Sequence, residues 1–172
     1  VYGMSSGAAL ALEAAASGLN ITRLALYEPP YMVGEGGHRP PADHQQALVR
    51  LIAAGRRGEA NTYFMRQVMG IPALIVFVMR LFPFWSKLKA VAHTLPYDSA
   101  IMGDFSLPTA RAAAVRVPTL VIGGEKSPEV LRRAVQAAAD AIPLAERRVL
   151  KGQTHNVSMK VLAPVLAEFF GR

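Results

Sequence analysis

Residues 1–7 read Val1-Tyr2-Gly3-Met4-Ser5-Ser6-Gly7, and the fold turns on their being a strand end, a Gly-x-Ser-x-Gly turn and a helix start. A serine hydroxyl is a poor nucleophile unless its geometry is forced and a base accepts its proton. A sharp strand-to-helix turn meets the first condition. It lifts Ser5 above the sheet edge, and Gly3 and Gly7 let the backbone crowd without Cβ clashes. The helix that such a turn requires does follow: Ala8, Leu10, Ala11, Leu12, Ala14, Ala15 and Ala16 precede a Ser17-Gly18 stop. Its first N–H groups and its dipole point toward the oxygen that becomes negative during acyl transfer. A purely structural strand–turn–helix competes for the same seven residues, because Gly and Ser are common.

The composition narrows the classes. With 172 residues, 52% apolar and 18% charged, the chain suits one globular domain with a sizeable core. It has no cysteine, which excludes disulfides, thiolate metal sites and a Cys nucleophile, and fits a reducing, cytoplasmic setting. The net charge of +7 is spread over isolated or paired arginines such as Arg56-Arg57, Arg132-Arg133 and Arg147-Arg148. Without a basic stripe interleaved with aromatics, a solvated surface is expected and no nucleic-acid partner. The first residue is Val, inside an expected strand, so the sequence reads as an excerpt of a longer chain and no N-terminal signal can be judged.

Beyond the first helix, Arg23–Tyr27 is a short apolar run bounded by Asn20 and Pro29, the length of a buried parallel strand. Strand, helix, strand makes a βαβ unit, which brings Glu28 to the same sheet edge as Ser5. Residues 31–44, with Gly34, Gly36, Gly37, Pro40 and Pro41, read as a loop. From Gln45 to Met69 the pattern is helical, divided at Gly55 and Gly58. Ile71–Met79 continues through Arg80 to Leu81-Phe82-Pro83-Phe84-Trp85; Arg80 and Pro83 interrupt it well short of the roughly 20 apolar residues of a membrane span. A buried or lid-packing helix is the expectation there. Val117–Gly124 restarts the sheet, Ser127 is expected to cap the next helix with Pro128 at its first position, Glu146–Leu150 is a last strand, and Val161–Phe170 closes the chain as a helix.

Three features coincide: the Gly3–Gly7 turn, the Val117-Pro118-Thr119-Leu120-Val121-Ile122-Gly123-Gly124 strand, and Gly152-Gln153-Thr154-His155 after the last strand. Together they resemble the α/β-hydrolase fold family over essentially the whole chain. The resemblance implies an α/β fold, here partial, with parallel strands alternating with helices and a helical cap or lid inserted at about residues 31–107. Residues 1–172 would be the C-terminal part of such a domain. It implies Ser5 as nucleophile and His155 as general base, with the N–H of Ser6 as one oxyanion donor, Met4 beside the substrate, and a second oxyanion donor from a loop upstream of the elbow. The other histidines, His38, His44 and His93, are expected at the surface or in the lid. The acid departs from the family pattern: after Gly124-Glu125-Lys126 its usual Asp is replaced by Ser127. Some members, such as the haloalkane dehalogenase branch, carry the acid at the end of the strand after the elbow helix, which is where Glu28 falls. Glu28 is the first choice, Glu125 the second, and Asp98 or Asp104 the third. A strand-end carboxylate held by backbone N–H groups is the structural alternative for Glu28.

The resulting expectation is a serine hydrolase that cleaves an ester or related acyl bond of a small, partly hydrophobic molecule through an acyl-enzyme. Dehalogenation is disfavoured because Ser5 stands where that chemistry needs a carboxylate. Acyl transfer or C–C bond hydrolysis could use the same triad, and a non-catalytic member that binds a ligand or partner is the alternative of a different class. No metal cluster or phosphate loop is visible, so neither a metal nor a cofactor is expected.

Overall fold

Four parallel strands organise the described part of this computed structural model, which covers residues 1–34 and 38–172. They are β1 (Tyr2–Met4), β2 (Leu24–Tyr27), β3 (Thr119–Gly124) and β4 (Ala145–Leu150), in the order β1-β2-β3-β4. The register pairs Met4 with Tyr27, Tyr27 with Ile122 and Gly124 with Leu150, so these strands finish along one edge. Every residue of β2 and β3 is buried, which is why both read as continuous apolar runs without alternation.

The pleat sends neighbouring side chains to opposite faces. Leu24, Leu26 and Val121 pack with Ala8, Ala11 and Leu12 of α1 (Ser6–Ala16), and with Ala112 of α7 (Thr109–Ala114) and Val135 and Ala138 of α8 (Glu129–Ala141). Ala25, Tyr27, Leu120 and Ile122 face the other way, onto Leu162 and Phe169 of α9 (Met159–Phe170). The alanines of α1 matter because small side chains let the helix lie close on the sheet. Leu12 and Leu162 are completely buried, and such a side chain is worth about 1.5–3 kcal/mol in transfer from water.

The chain divides into two compact units, residues 1–35 with 106–172, and residues 36–105. The second is helical: α2 (His44–Ala53), α3 (Arg57–Tyr63) running into a π-helical turn at Phe64–Val68, α4 (Ala73–Met79), α5 (Phe84–Val91), a 3₁₀ turn at Ala92–Thr94 and α6 (Leu95–Met102). Gly36 and Gly37 of the expected 31–44 loop lie outside the described residues.

Three local expectations are corrected. Gly55, at φ +73°, ends α2, but Gly58 lies inside α3 and divides nothing. The apolar stretch at 71–85 is not one buried helix: it spans α4 and the start of α5, broken at Pro83, and of it Val76 and Trp85 are buried while Leu74, Phe77, Leu81 and Phe82 are exposed. Helices this short can bury only a narrow stripe each. Ser127 does not cap α8. Pro128 occupies that position, and the hydroxyl of Ser127 is turned inward and buried. Among the described residues, no helix is long and apolar enough to cross a membrane.

Candidate active site

Ser5 occupies the single residue between β1 and α1, with φ 55° and ψ −129°. Positive φ is costly for a residue with a Cβ, about 1–3 kcal/mol, and persists only where the surroundings hold it. Two contacts do so. The Ser5 N–H donates to the carbonyl of Tyr27 at 2.9 Å, continuing the β1–β2 ladder, while the Ser5 carbonyl already accepts from the N–H of Ala8 at 2.8 Å. Gly3 is required for this crossing: a Cβ there would lie 2.2 Å from the carbonyl oxygen of Gly7. Gly7 itself has open space around its missing Cβ, so the steric demand of the turn falls on Gly3 alone. Ser6 opens α1, where the first N–H groups have no intrahelical acceptor. Met4 ends β1, half-buried against the core beneath α9.

Glu28 follows β2 directly and also has positive φ, 45°. Its N–H donates to the carbonyl of Ile122 at 3.0 Å, so the backbone is still tied to β3 as the side chain turns away. The residue is fully buried. One carboxylate oxygen, Oε1, accepts from the N–H of Gly124 at 2.6 Å; the other, Oε2, lies 2.8 Å from Nδ1 of His155. Burial pushes this carboxyl up, but the hydrogen bond from His155, the neighbouring Ser127 hydroxyl, the Gly124 N–H and the imidazole charge outweigh it and hold the group below the ordinary Glu value. An ionised carboxylate only accepts, so Nδ1 of His155 is the donor, and in the neutral ring Nε2 is the nitrogen free to accept a proton.

The loop carrying His155 is pinned at several points. Tyr27 donates its hydroxyl to the Thr154 carbonyl at 2.7 Å. The N–H of Lys126 donates to the Gln153 carbonyl at 2.8 Å, and the N–H of Gly152 donates to Oε2 of Glu125 at 2.8 Å. The Gln153 side chain in turn accepts from the N–H of Ser158 at 2.9 Å, just before α9. Gly124 is required here as Gly3 is at the elbow, since a Cβ on it would meet the Gln153 carbonyl at 2.5 Å. Tyr27 and Gly124 were not singled out as site residues from the sequence. The glycine pair ending β3 was a visible signal; nothing local marks the long-range bond made by Tyr27.

Of the expected acids, Glu28 is the one brought to His155. Glu125 is engaged with the Gly152 backbone, and Asp98 lies in the first turn of α6 and Asp104 just after it, both within the helical unit. In that unit Nε2 of His38 is 2.8 Å from the Gln67 carbonyl, and His93 is exposed with Nδ1 3.2 Å from the Ala90 carbonyl. His44, in the same unit, is buried against Phe105, its Nδ1 2.8 Å from the Pro41 carbonyl.

The fold has counterparts among solved structures. An α/β hydrolase from Sphaerobacter thermophilus is 54% identical, with a TM-score of 0.84 over 99% of this chain and 66% of that one. The chain belongs to the α/β-hydrolase family. A hydrolase from Pseudomonas aeruginosa (20% identity, TM-score 0.61, 99% of this chain and 64% of that one) shares the fold. So does a bromoperoxidase from Bacillus anthracis (16%, 0.60, 99% and 66%). This α/β-hydrolase chain thus spans just under two thirds of the length of the proteins it matches. No protein-family model matches it, and no curated protein does.

Proposed function

We propose that this chain carries the Ser-His-acid site of a serine hydrolase acting on an ester or related acyl bond of a small, partly apolar molecule. The observation that carries the reading is the 2.8 Å contact between Nδ1 of His155 and the buried Glu28 carboxylate, at the end of the strand adjacent to the one that ends at Ser5. Two residues with positive φ at neighbouring strand ends support it, because backbone strain of this kind concentrates at working sites.

In this mechanism the Ser5 hydroxyl oxygen attacks the acyl carbon as its proton passes to Nε2 of His155. The imidazolium keeps its Nδ1–H directed at Glu28, which offsets the new positive charge. The negative oxygen of the tetrahedral intermediate accepts from the N–H of Ser6, strengthened by the N-terminus of α1. Collapse breaks the bond to the leaving oxygen, which takes the proton from Nε2. Water then repeats the sequence: it gives its proton to Nε2, attacks the acyl-enzyme, and returns Ser5 with a free carboxylic acid. Met4 contributes an apolar wall to the substrate, and the helical unit between β2 and β3 serves as the lid.

The test is turnover of p-nitrophenyl esters by the full-length protein, with pre-steady-state resolution. A burst of nitrophenol stoichiometric with protein, absent in Ser5→Ala and His155→Gln, is the expected result. A folded wild-type protein without burst or turnover, yet binding ester analogues, would support a ligand-binding member of the family instead.

A further inference from the structure

A buried hydroxyl beside the acid has no part in the mechanism above. Ser127 is 4% exposed, and its oxygen is shielded from solvent. It belongs to the turn after β3, where its N–H donates to the Gly124 carbonyl at 3.2 Å, and its oxygen lies 2.8 Å from where a Cβ on Gly124 would stand. The same Gly124 donates its own N–H to Oε1 of Glu28 at 2.6 Å. The turn therefore presents two donors to one region: a backbone N–H already engaged, and a hydroxyl beside it. The hydroxyl is not spent on α8, whose cap is Pro128 and which has no side-chain cap bond. It has no hydrogen-bond partner of its own, and it stands in the turn that holds Oε1 of Glu28, where it helps keep that carboxyl below its ordinary value. A buried hydroxyl left unpaired costs about 1–3 kcal/mol, so its placement needs a reason.

We propose that Ser127 is a positioning residue for the acid: with the Gly124 N–H it fixes the rotation of the Glu28 carboxylate so that Oε2 faces Nδ1 of His155. This rests on the assignment of Glu28 and His155 given above. A carboxylate has about four acceptor sites. Gly124 and His155 take one on each oxygen, which leaves the group able to tip about its terminal torsion, a broad and soft one. A third donor, off the line between the other two, removes that freedom. The hydroxyl hydrogen rotates freely and follows the carboxylate as charge builds on His155, so the contact strengthens in the transition state.

A double-mutant cycle tests this on the full-length protein. Ser127→Ala is expected to lower kcat for ester hydrolysis about ten-fold with KM unchanged, since a hydrogen bond to a charged group is worth about that factor or more. In the Glu28→Gln background the same change is expected to have no further effect on the rate of Ser5 acylation, because Ser127 acts only through the carboxylate. Should Ser127→Ala fail to fold, Ser127→Cys, of similar size but a weaker donor, is read in the same two backgrounds. Equal rate losses in both backgrounds, or no loss in the single variant while Glu28→Gln is severely impaired, would overturn the positioning role and leave the triad standing. Failure of Glu28→Gln itself to slow acylation would instead remove the reading on which it rests.

Discussion

Replacing Glu28 by Gln should uncouple the acid from the base with little change in shape. In the folded protein Oε1 accepts from the Gly124 N–H at 2.6 Å, and an amide oxygen can keep that bond. The amide nitrogen then occupies the place of Oε2, 2.8 Å from Nδ1 of His155, and can only donate. Nδ1 must therefore become the acceptor, which moves the ring proton to Nε2, the nitrogen that has to receive the proton of Ser5. The base is in the wrong tautomer, and no charge remains to offset an imidazolium. Loss of the acid in this type of triad costs on the order of 10⁴ in turnover, or about 5.5 kcal/mol of transition-state stabilisation. Folding should suffer far less: a charge-assisted bond is exchanged for a neutral one, at about 1 kcal/mol. The assay is single-turnover acylation by a p-nitrophenyl ester, alongside a thermal melt. A Glu28→Gln protein that melts close to wild type but acylates about 10⁴-fold more slowly is the expected outcome. Acylation within ten-fold of wild type, or a larger loss from Glu125→Gln or Asp98→Asn, would refute the assignment of the acid.

Gly3→Ala should place a Cβ 2.2 Å from the Gly7 carbonyl, a backbone atom that cannot step aside; overpacking of about 3 kcal/mol should lower Tm by about 6–12 °C, whereas Gly7→Ala should leave it nearly unchanged. Tyr27→Phe removes the 2.7 Å bond to the Thr154 carbonyl and should cost about 1–2 kcal/mol in urea unfolding, with kcat falling as the His155 loop loosens; an unaltered kcat would show that the other pins suffice. The carboxyl of Glu28 is held below its ordinary value when folded, so its contribution to stability is fully present above the unfolded value of about 4.3 and lost as pH falls through the folded value. The difference in stability between wild type and Glu28→Gln should accordingly shrink in melts below about pH 4, and a gap that widens there would contradict the sign.

Much of the α/β unit was legible because its signals are local. Leu24–Tyr27 and Thr119–Gly124 are fully buried strands and therefore unbroken apolar runs, and the parallel βαβ rule is enough to bring Ser5 and Glu28 to one edge. The helical unit was less transparent. Its apolar residues at 71–85 promised burial, yet short helices broken at Pro83 leave Leu74, Phe77 and Leu81 exposed. At the site the illegible parts were those made between distant segments. Ser127 followed by Pro128 has the look of a local cap, and only the folded turn after β3 reveals that its hydroxyl is buried beside Gly124 instead. Gly7 belongs to the motif, but the crowding it creates is felt at Gly3. The tie from Tyr27 to Thr154 joins residues 127 positions apart and has no local trace.

The central claim, that Ser5 is an activated nucleophile, is tested most directly by where a fluorophosphonate attaches. The full-length protein is treated with the reagent, digested, and the modified peptide sequenced by mass spectrometry. One phosphonyl group on Ser5, formed rapidly in wild type, slowly in Glu28→Gln and not at all in Ser5→Ala, is the predicted result. A folded wild-type protein that stays unlabelled, or labelling that persists at another residue in Ser5→Ala, would contradict it.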